Sequence, residues 1–140
     1  PQTAPAAVPW RHWLLLAATS LLLALAFQGS RGLWEPDEGR YTAVAAEMLA
    51  MGDFVTPHRH HHHIHPTKPP VTYWAIAAGI ATFGHSEWGV RMPYALAFAA
   101  TVLLVGVMGR RLAPAMPLLP AMVYGAMLLL LVLAVSLYYR

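Results

Sequence analysis

The chain has 140 residues, of which 58% are apolar and 11% are charged, and its formal net charge is +3 at pH 7. Soluble domains carry roughly 45–50% apolar and about 25% charged residues, so this composition is typical of a membrane protein. The net charge is small and the basic residues are scattered among apolar runs, which argues against a nucleic-acid-binding surface. The chain contains no cysteine, and this excludes a disulfide framework and a thiolate metal site.

Three apolar runs predict transmembrane helices, at about 13–30, 92–109 and 121–139. Each run has about eighteen residues without a charge, or roughly 27 Å of helix, which is close to the hydrocarbon thickness of a bilayer. A soluble core of three such helices is disfavoured, because so short a chain lacks the polar sequence to cover them. The first run also fits a cleaved signal peptide with a small-residue site at Ala24 and Ala26, but its length and the two later runs favour a span.

The remaining sequence predicts how the chain is organised around these spans. Residues 1–9 are expected to form a disordered tail, and residues 10–140 the N-terminal part of one transmembrane domain. All six carboxylates fall in the mixed segment 31–91. Basic residues precede the first span and follow the second. The positive-inside rule therefore assigns the start of the first span and the end of the second to the cytoplasmic side. Segment 31–91 is therefore predicted to be an extracytoplasmic loop.

Two further helices are predicted inside this loop. Residues 37–51 form an amphipathic pattern that begins with acidic residues, suited to a helix N-terminus, and stops at Gly52. Residues 71–83 are apolar and end at Gly84, but thirteen residues are too few to cross a bilayer, which favours an interfacial or re-entrant helix. The expected fold class is thus an all-α membrane protein with about three transmembrane and two interfacial helices.

Charged residues cluster just beyond the first predicted span, at Asp37, Glu38 and Arg40, followed by Tyr41. Charge at the depth where a span ends is costly and usually serves a function. An aspartate before a helix is also a common cap, so on physical grounds Asp37 fits capping about as well as catalysis.

A second cluster begins at Lys68, which precedes two prolines and the predicted helix 71–83. A lysine in this position can reach a lipid phosphate as a point charge. Tyr73 and Trp74 follow one turn later. Such aromatic side chains could stack on a sugar ring, but an anchoring role at the membrane interface is the favoured interpretation.

A run of histidines lies between these clusters, with six imidazoles within residues 58–65. Such a run binds divalent transition metals whatever its origin, and His60, His62 and His65 are the candidate ligands. An engineered affinity tag and a natural histidine-rich metal tract are both consistent with this composition.

Several short motifs, in their order and spacing, resemble one family. They are W-E-P-D-E-G-R-Y from Trp34, A-E-M-L from Ala46, M-G-D-F-V-T-P from Met51, K-P-P from Lys68 and R-M-P from Arg91. Together they look like the N-terminal end of GT-C membrane glycosyltransferases, the group of lipid A aminoarabinose transferases and protein O-mannosyltransferases. The likeness covers Leu33 to about Leu112 and is closer to the aminoarabinose branch.

The resemblance implies a reaction and roles for individual residues. Asp37 would match the family's catalytic acidic residue, and Glu38 beside it would be a second catalytic residue. Arg40 and Tyr41 would line the same cavity, and Lys68 would face the lipid-linked phosphate. The chain would be the N-terminal fragment of a hexosyl- or pentosyltransferase in the bacterial inner membrane. The enzyme would move a sugar, with inversion, from polyprenyl phosphate to an extracytoplasmic lipid or protein acceptor such as lipid A.

Two departures from the family pattern leave the cofactor unassigned. Thr67 stands where the family usually has an acidic residue, and the histidines replace a short Asn-Gly type of turn. A divalent metal held by the histidines is one candidate cofactor. The sequence also keeps two other functions open: a histidine-rich metal-binding membrane protein, and a non-catalytic membrane scaffold or remnant.

Overall fold

The computed structural model describes residues 7–26, 32–33, 37–59, 63–64 and 69–138. Within these ranges the chain forms helices and one short antiparallel ladder. The elements are α1 (Trp10–Leu25), α2 (Asp37–Met51), β1 (His58–Arg59), β2 (His63–Ile64), α3 (Pro70–Phe83), α4 (Glu87–Leu112) and α5 (Leu119–Tyr138).

The predicted all-α architecture is confirmed in its helical content. The ladder was not predicted; it pairs His58 with Ile64 and Arg59 with His63. In the part of the chain that the structure describes, α4 is the one helix both long and apolar enough to cross a bilayer, whereas α1 and α3 are apolar but shorter. The number of spans therefore stays a prediction.

The boundaries of α2 and α3 follow from local sequence. Helix α2 carries two acidic residues in its first turn, where they interact favourably with the positive end of the helix dipole. It ends at Gly52, whose φ of 68° is a left-handed conformation that glycine adopts without steric cost. Helix α3 begins with Pro70, which needs no amide partner in a first turn. It ends at Gly84, at a φ of 83°.

The chain divides into two compact units. One unit comprises residues 27–95 and holds α2, the ladder, α3 and the start of α4. Its core is the contact of α2 with α3 and α4. The buried side chains there are Val44, Ala45, Met48, Tyr73, Ile76, Ala77, Ile80 and Val90. Because α2 packs against both neighbours, its first turn is held in a defined place within this unit.

A close helix contact brings the start of α4 onto α3. A Cβ atom at Gly79 would lie only 2.1 Å from the carbonyl oxygen of Gly89 and 2.7 Å from Cγ of Pro93. Pro93 has no amide hydrogen to donate to that carbonyl, which is the acceptor it would otherwise use in the helix. The two helices can approach this closely only because position 79 has no side chain.

The second unit comprises residues 1–26 and 96–140. In it, α1 packs against the C-terminal half of α4, where a Cβ at Gly106 would come within 2.9 Å of the Trp13 ring. The guanidinium of Arg110 lies over the same ring at 5.9 Å. The predicted N-terminal tail falls largely outside the described residues.

Candidate functional site

The first turn of α2 presents an exposed ion pair. Nη2 of Arg40 donates a hydrogen bond to Oδ1 of Asp37, three residues earlier on the helix. The side chain of Asp37 is 65% exposed and that of Arg40 is 31% exposed. Within the described residues, Nε of Arg40 is buried and lacks a hydrogen-bond partner, although most buried donors in proteins have one.

Glu38, the next residue, has a different environment. Its Oε1 accepts from Nε of Arg91 at 2.9 Å, and its Oε2 accepts from Nη2 at 2.8 Å. The same Nη2 donates to the carbonyl of Gly32 at 2.9 Å. The side chain of Arg91 is 5% exposed. This is a bidentate pair, in which the planar guanidinium matches the carboxylate geometry.

Aromatic side chains connect the exposed pair to the core. The guanidinium of Arg40 lies 5.5 Å from the ring centroid of Tyr41, within the range of a cation–π contact. Tyr41 in turn packs edge-on against Tyr73, with the centroids 6.0 Å apart. Tyr73 is fully buried, so the predicted anchoring of this residue at the membrane interface is wrong: it packs in the helix interface instead.

Trp74, the next residue of α3, is exposed. Its indole Nε1 donates to the carbonyl of Phe54 at 2.6 Å. This bond ties the loop after α2 to the first turns of α3. The exposed position is compatible with the interfacial anchoring predicted for Trp74, which stays a prediction.

The same loop is organised by Asp53. Its Oδ1 accepts from the backbone amides of Val55 and Thr56 at 2.9 and 3.1 Å, a local turn that aspartate commonly forms. Oδ2 lies 3.6 Å from Nε2 of His58. The pKa of Asp53 is lowered, chiefly by the amides of Thr56 and Val55 and to a lesser degree by His58. The carboxylate therefore holds the loop in its ionised form.

Four residues named from the sequence lie outside the described residues: Lys68, His60, His62 and His65. The structure therefore tests neither the lysine nor the candidate metal ligands. Across the described ranges, no group of three histidine, aspartate or glutamate side chains is arranged to hold a metal ion.

The structure thus brings together Asp37, Glu38, Arg40 and Tyr41, as the sequence suggested, and adds Arg91, to which sequence reasoning gave no role. The pair of Glu38 and Arg91 spans 53 residues, and no local pattern reveals such a partner. The available signal was the position of Arg91 directly before the apolar run 92–109, since a charge beside such a run usually has a counter-charge. Chemically, the site offers the exposed carboxylate of Asp37 beside the cation of Arg40. The neighbouring carboxylate of Glu38 is held by Arg91.

Comparison with known proteins assigns the chain to a family. The sequence profile described as "Dolichyl-phosphate-mannose-protein mannosyltransferase" matches residues 67–139, slightly more than half of the chain. No solved structure matches.

Curated relatives match a longer part of the chain. It is 42% identical over 104 residues to undecaprenyl phosphate-alpha-4-amino-4-deoxy-L-arabinose arabinosyl transferase 2 of Pseudomonas fluorescens (strain Pf0-1), covering 73% of this chain and 19% of the relative. It is 41% identical over 99 residues to the corresponding transferase of Pseudomonas savastanoi pv. phaseolicola, covering 68% and 18%. The chain spans about a fifth of the length of these relatives. The resemblance to GT-C membrane glycosyltransferases is confirmed, and the chain belongs to the dolichyl-phosphate-mannose-protein mannosyltransferase family.

Proposed function

We propose that the chain is the N-terminal part of an inverting glycosyltransferase that takes a sugar from a polyprenyl phosphate. The observation that carries the proposal is the exposed carboxylate of Asp37 beside Arg40 at the start of α2, in a chain of this family. The relatives' names point to 4-amino-4-deoxy-L-arabinose on undecaprenyl phosphate as the donor. An extracytoplasmic acceptor such as lipid A fits that donor.

The reaction is a single in-line displacement. An acceptor oxygen, from a hydroxyl or a phosphate, attacks the anomeric carbon while the bond from that carbon to the phosphate oxygen breaks. The polyprenyl phosphate leaves with the bonding electron pair, and Asp37 takes the proton of the acceptor hydroxyl or phosphate as general base. One displacement inverts the anomeric centre and requires one base rather than a nucleophile and an acid.

Cations offset the charge that grows on the departing phosphate. Arg40 is the described candidate, because its guanidinium is partly exposed and pairs with the proposed base, Asp37. Lys68 is proposed for the same phosphate on the basis of its sequence position. Tyr41, which lies beneath Arg40, lines the same surface. Glu38 stands beside the base without being required to touch substrate.

The membrane arrangement is part of the proposal. The leaving phosphate is at headgroup level, so the catalytic groups belong at the bilayer surface rather than in a soluble domain. Three spans, near α1, α4 and α5, would leave segment 31–91 on the extracytoplasmic face, with α2 and α3 at the interface. The bacterial inner membrane is the expected location, with membrane lipid around the spans.

The proposal is tested in the complete enzyme, purified in detergent and assayed with undecaprenyl-phosphate aminoarabinose and lipid A. Asp37→Asn removes the base but keeps the side-chain size, so kcat is expected to fall by at least about 100-fold. Lys68→Ala is expected to raise the donor KM more than it lowers kcat, because it removes binding to the donor phosphate.

A matched control is Asp53→Asn, which changes a carboxylate in the same loop that the proposal leaves out of the reaction. It should retain near-normal kcat. Full transfer by Asp37→Asn would reject Asp37 as the base. An unchanged donor KM in Lys68→Ala would reject the lysine's contact with phosphate.

A further inference from the structure

Arg91 is the most deeply buried charged side chain described near the site. It lies in the second turn of α4, and its guanidinium donates to both oxygens of Glu38 and to the carbonyl of Gly32. An arginine that is 5% exposed stays protonated at every accessible pH, so it requires a partner of opposite charge. Glu38 supplies that charge.

These contacts join the residues around the start of α2 to a position more than 50 residues later in the chain. Gly32 follows the first apolar run, Glu38 is in the first turn of α2, and Arg91 is near the start of α4. The tie fixes the first turn of α2 relative to Gly32 and to the start of α4. It acts one residue away from Asp37 and two residues away from Arg40, so any displacement of Glu38 moves both.

We propose that Arg91 is a positioning residue for the transfer reaction. Through Glu38 it fixes the first turn of α2, and so directs the Asp37 carboxylate and the Arg40 guanidinium toward the lipid-linked donor. This inference rests on the proposed function. In it, Glu38 is the second positioning residue, held by Arg91, while Asp37 alone acts as the base.

The geometry of the two ion pairs separates these roles. Asp37 is paired with a residue on its own helix and is 65% exposed, so it can exchange its partner for an acceptor proton. Both oxygens of Glu38 are engaged by one buried guanidinium, which leaves it poorly suited to proton transfer. Reacting groups need accurate placement, since a misplacement of about 1 Å costs roughly 100-fold in rate.

The test uses the complete enzyme and the substitution Arg91→Lys. Lysine keeps the charge but cannot form the bidentate pair or reach Gly32 at the same time. We expect kcat to fall by about 100-fold while the donor KM stays within about twofold. We expect these changes in protein whose unfolding transition resembles the wild type. Arg111→Lys, the same change at an exposed position of the same helix, should leave kcat unchanged.

A second arm combines Arg91→Lys with Glu38→Gln. Both substitutions break the same contact, the ion pair of Glu38 and Arg91. The kcat of the double variant should therefore be no lower than that of the slower single variant, which is the non-additivity expected of a coupled pair. If the fold-losses in kcat of the two single variants instead multiply in the double variant, the inference is overturned. An activity loss that merely follows the folded fraction would also overturn it, since this would assign Arg91 to stability alone.

The outcomes distinguish this inference from the proposed function. If Asp37→Asn abolishes transfer while well-folded Arg91→Lys retains full kcat, only the positioning role is overturned. If Asp37→Asn retains full transfer, the assignment of the base fails whatever Arg91→Lys does, and Arg91 then has no base to position.

Discussion

Asp37 and Glu38 are adjacent in the sequence, yet their ion pairs have opposite character. Asp37 pairs with Arg40 within one helical turn, on the exposed surface of α2. Glu38 pairs with a buried arginine 53 residues away, through two hydrogen bonds. Exposed pairs contribute little to stability, whereas breaking a buried pair leaves a charge without compensation. Under the proposed function, the exposed carboxylate of Asp37 is available for chemistry, whereas the carboxylate of Glu38 holds the first turn of the same helix.

The comparison predicts its largest effect for Arg91→Met. This substitution leaves Glu38 without its partner in a partly buried setting, so the free energy of unfolding should fall by about 3 kcal/mol. Arg40→Met, the matched change in the exposed pair, should cost less than about 1 kcal/mol. Chemical unfolding of both variants in detergent micelles measures the difference. Equal losses would mean that burial does not separate the two pairs.

A smaller effect on stability is expected at the close contact between α3 and α4 at Gly79, which places Arg91 near Glu38. Gly79→Ala would place a Cβ 2.1 Å from the carbonyl oxygen of Gly89, so α4 must shift, at a cost of about 1–3 kcal/mol. Gly125→Ala is the control, because nothing lies within 4 Å of its added Cβ and alanine favours a helix. Unfolding measurements on both variants test this. A stable Gly79→Ala protein with full activity would show that the crossing does not position Arg91.

The smallest effect concerns Asp53, a third carboxylate, which is held by backbone amides rather than by a cation. Its pKa is lowered from the usual 3.8, so its stabilising contribution is complete above that value and is lost as the pH falls through the lower, folded-state pKa. Asp53→Ala should therefore melt at a lower temperature than wild type at neutral pH, and the gap should close in strong acid. Melting curves between about pH 2 and pH 7 record it. A gap independent of pH would exclude the ionised carboxylate as its source.

Local sequence signals predicted the bounds of the two helices α2 and α3. The bounds of α2 follow from its acidic first turn and Gly52, and those of α3 from Pro70 and Gly84. These residues start or stop a helix through their own backbone conformation, so the helix bounds can be predicted from neighbouring positions alone. The helix α4 (Glu87–Leu112) contains the predicted span 92–109 and extends beyond both of its ends.

Contacts between distant segments could not be predicted in this way. The burial of Tyr73 depends on Tyr41 in another helix, and Arg91 depends on Glu38. The short ladder of β1 and β2 depends on a register that a histidine-rich composition does not reveal. In the candidate site, the sequence named Asp37, Glu38, Arg40 and Tyr41 by motif but gave no role to Arg91, because its contact with Glu38 depends on the fold.

The hydrogen bond from Trp74 to the Phe54 carbonyl offers a practical consequence. Indole emission depends on the polarity around the ring and on the partner of its N–H group. A variant that keeps Trp74 as its one tryptophan would thus report, without an attached dye, whether the loop after α2 stays fastened to α3 when donor lipid is added.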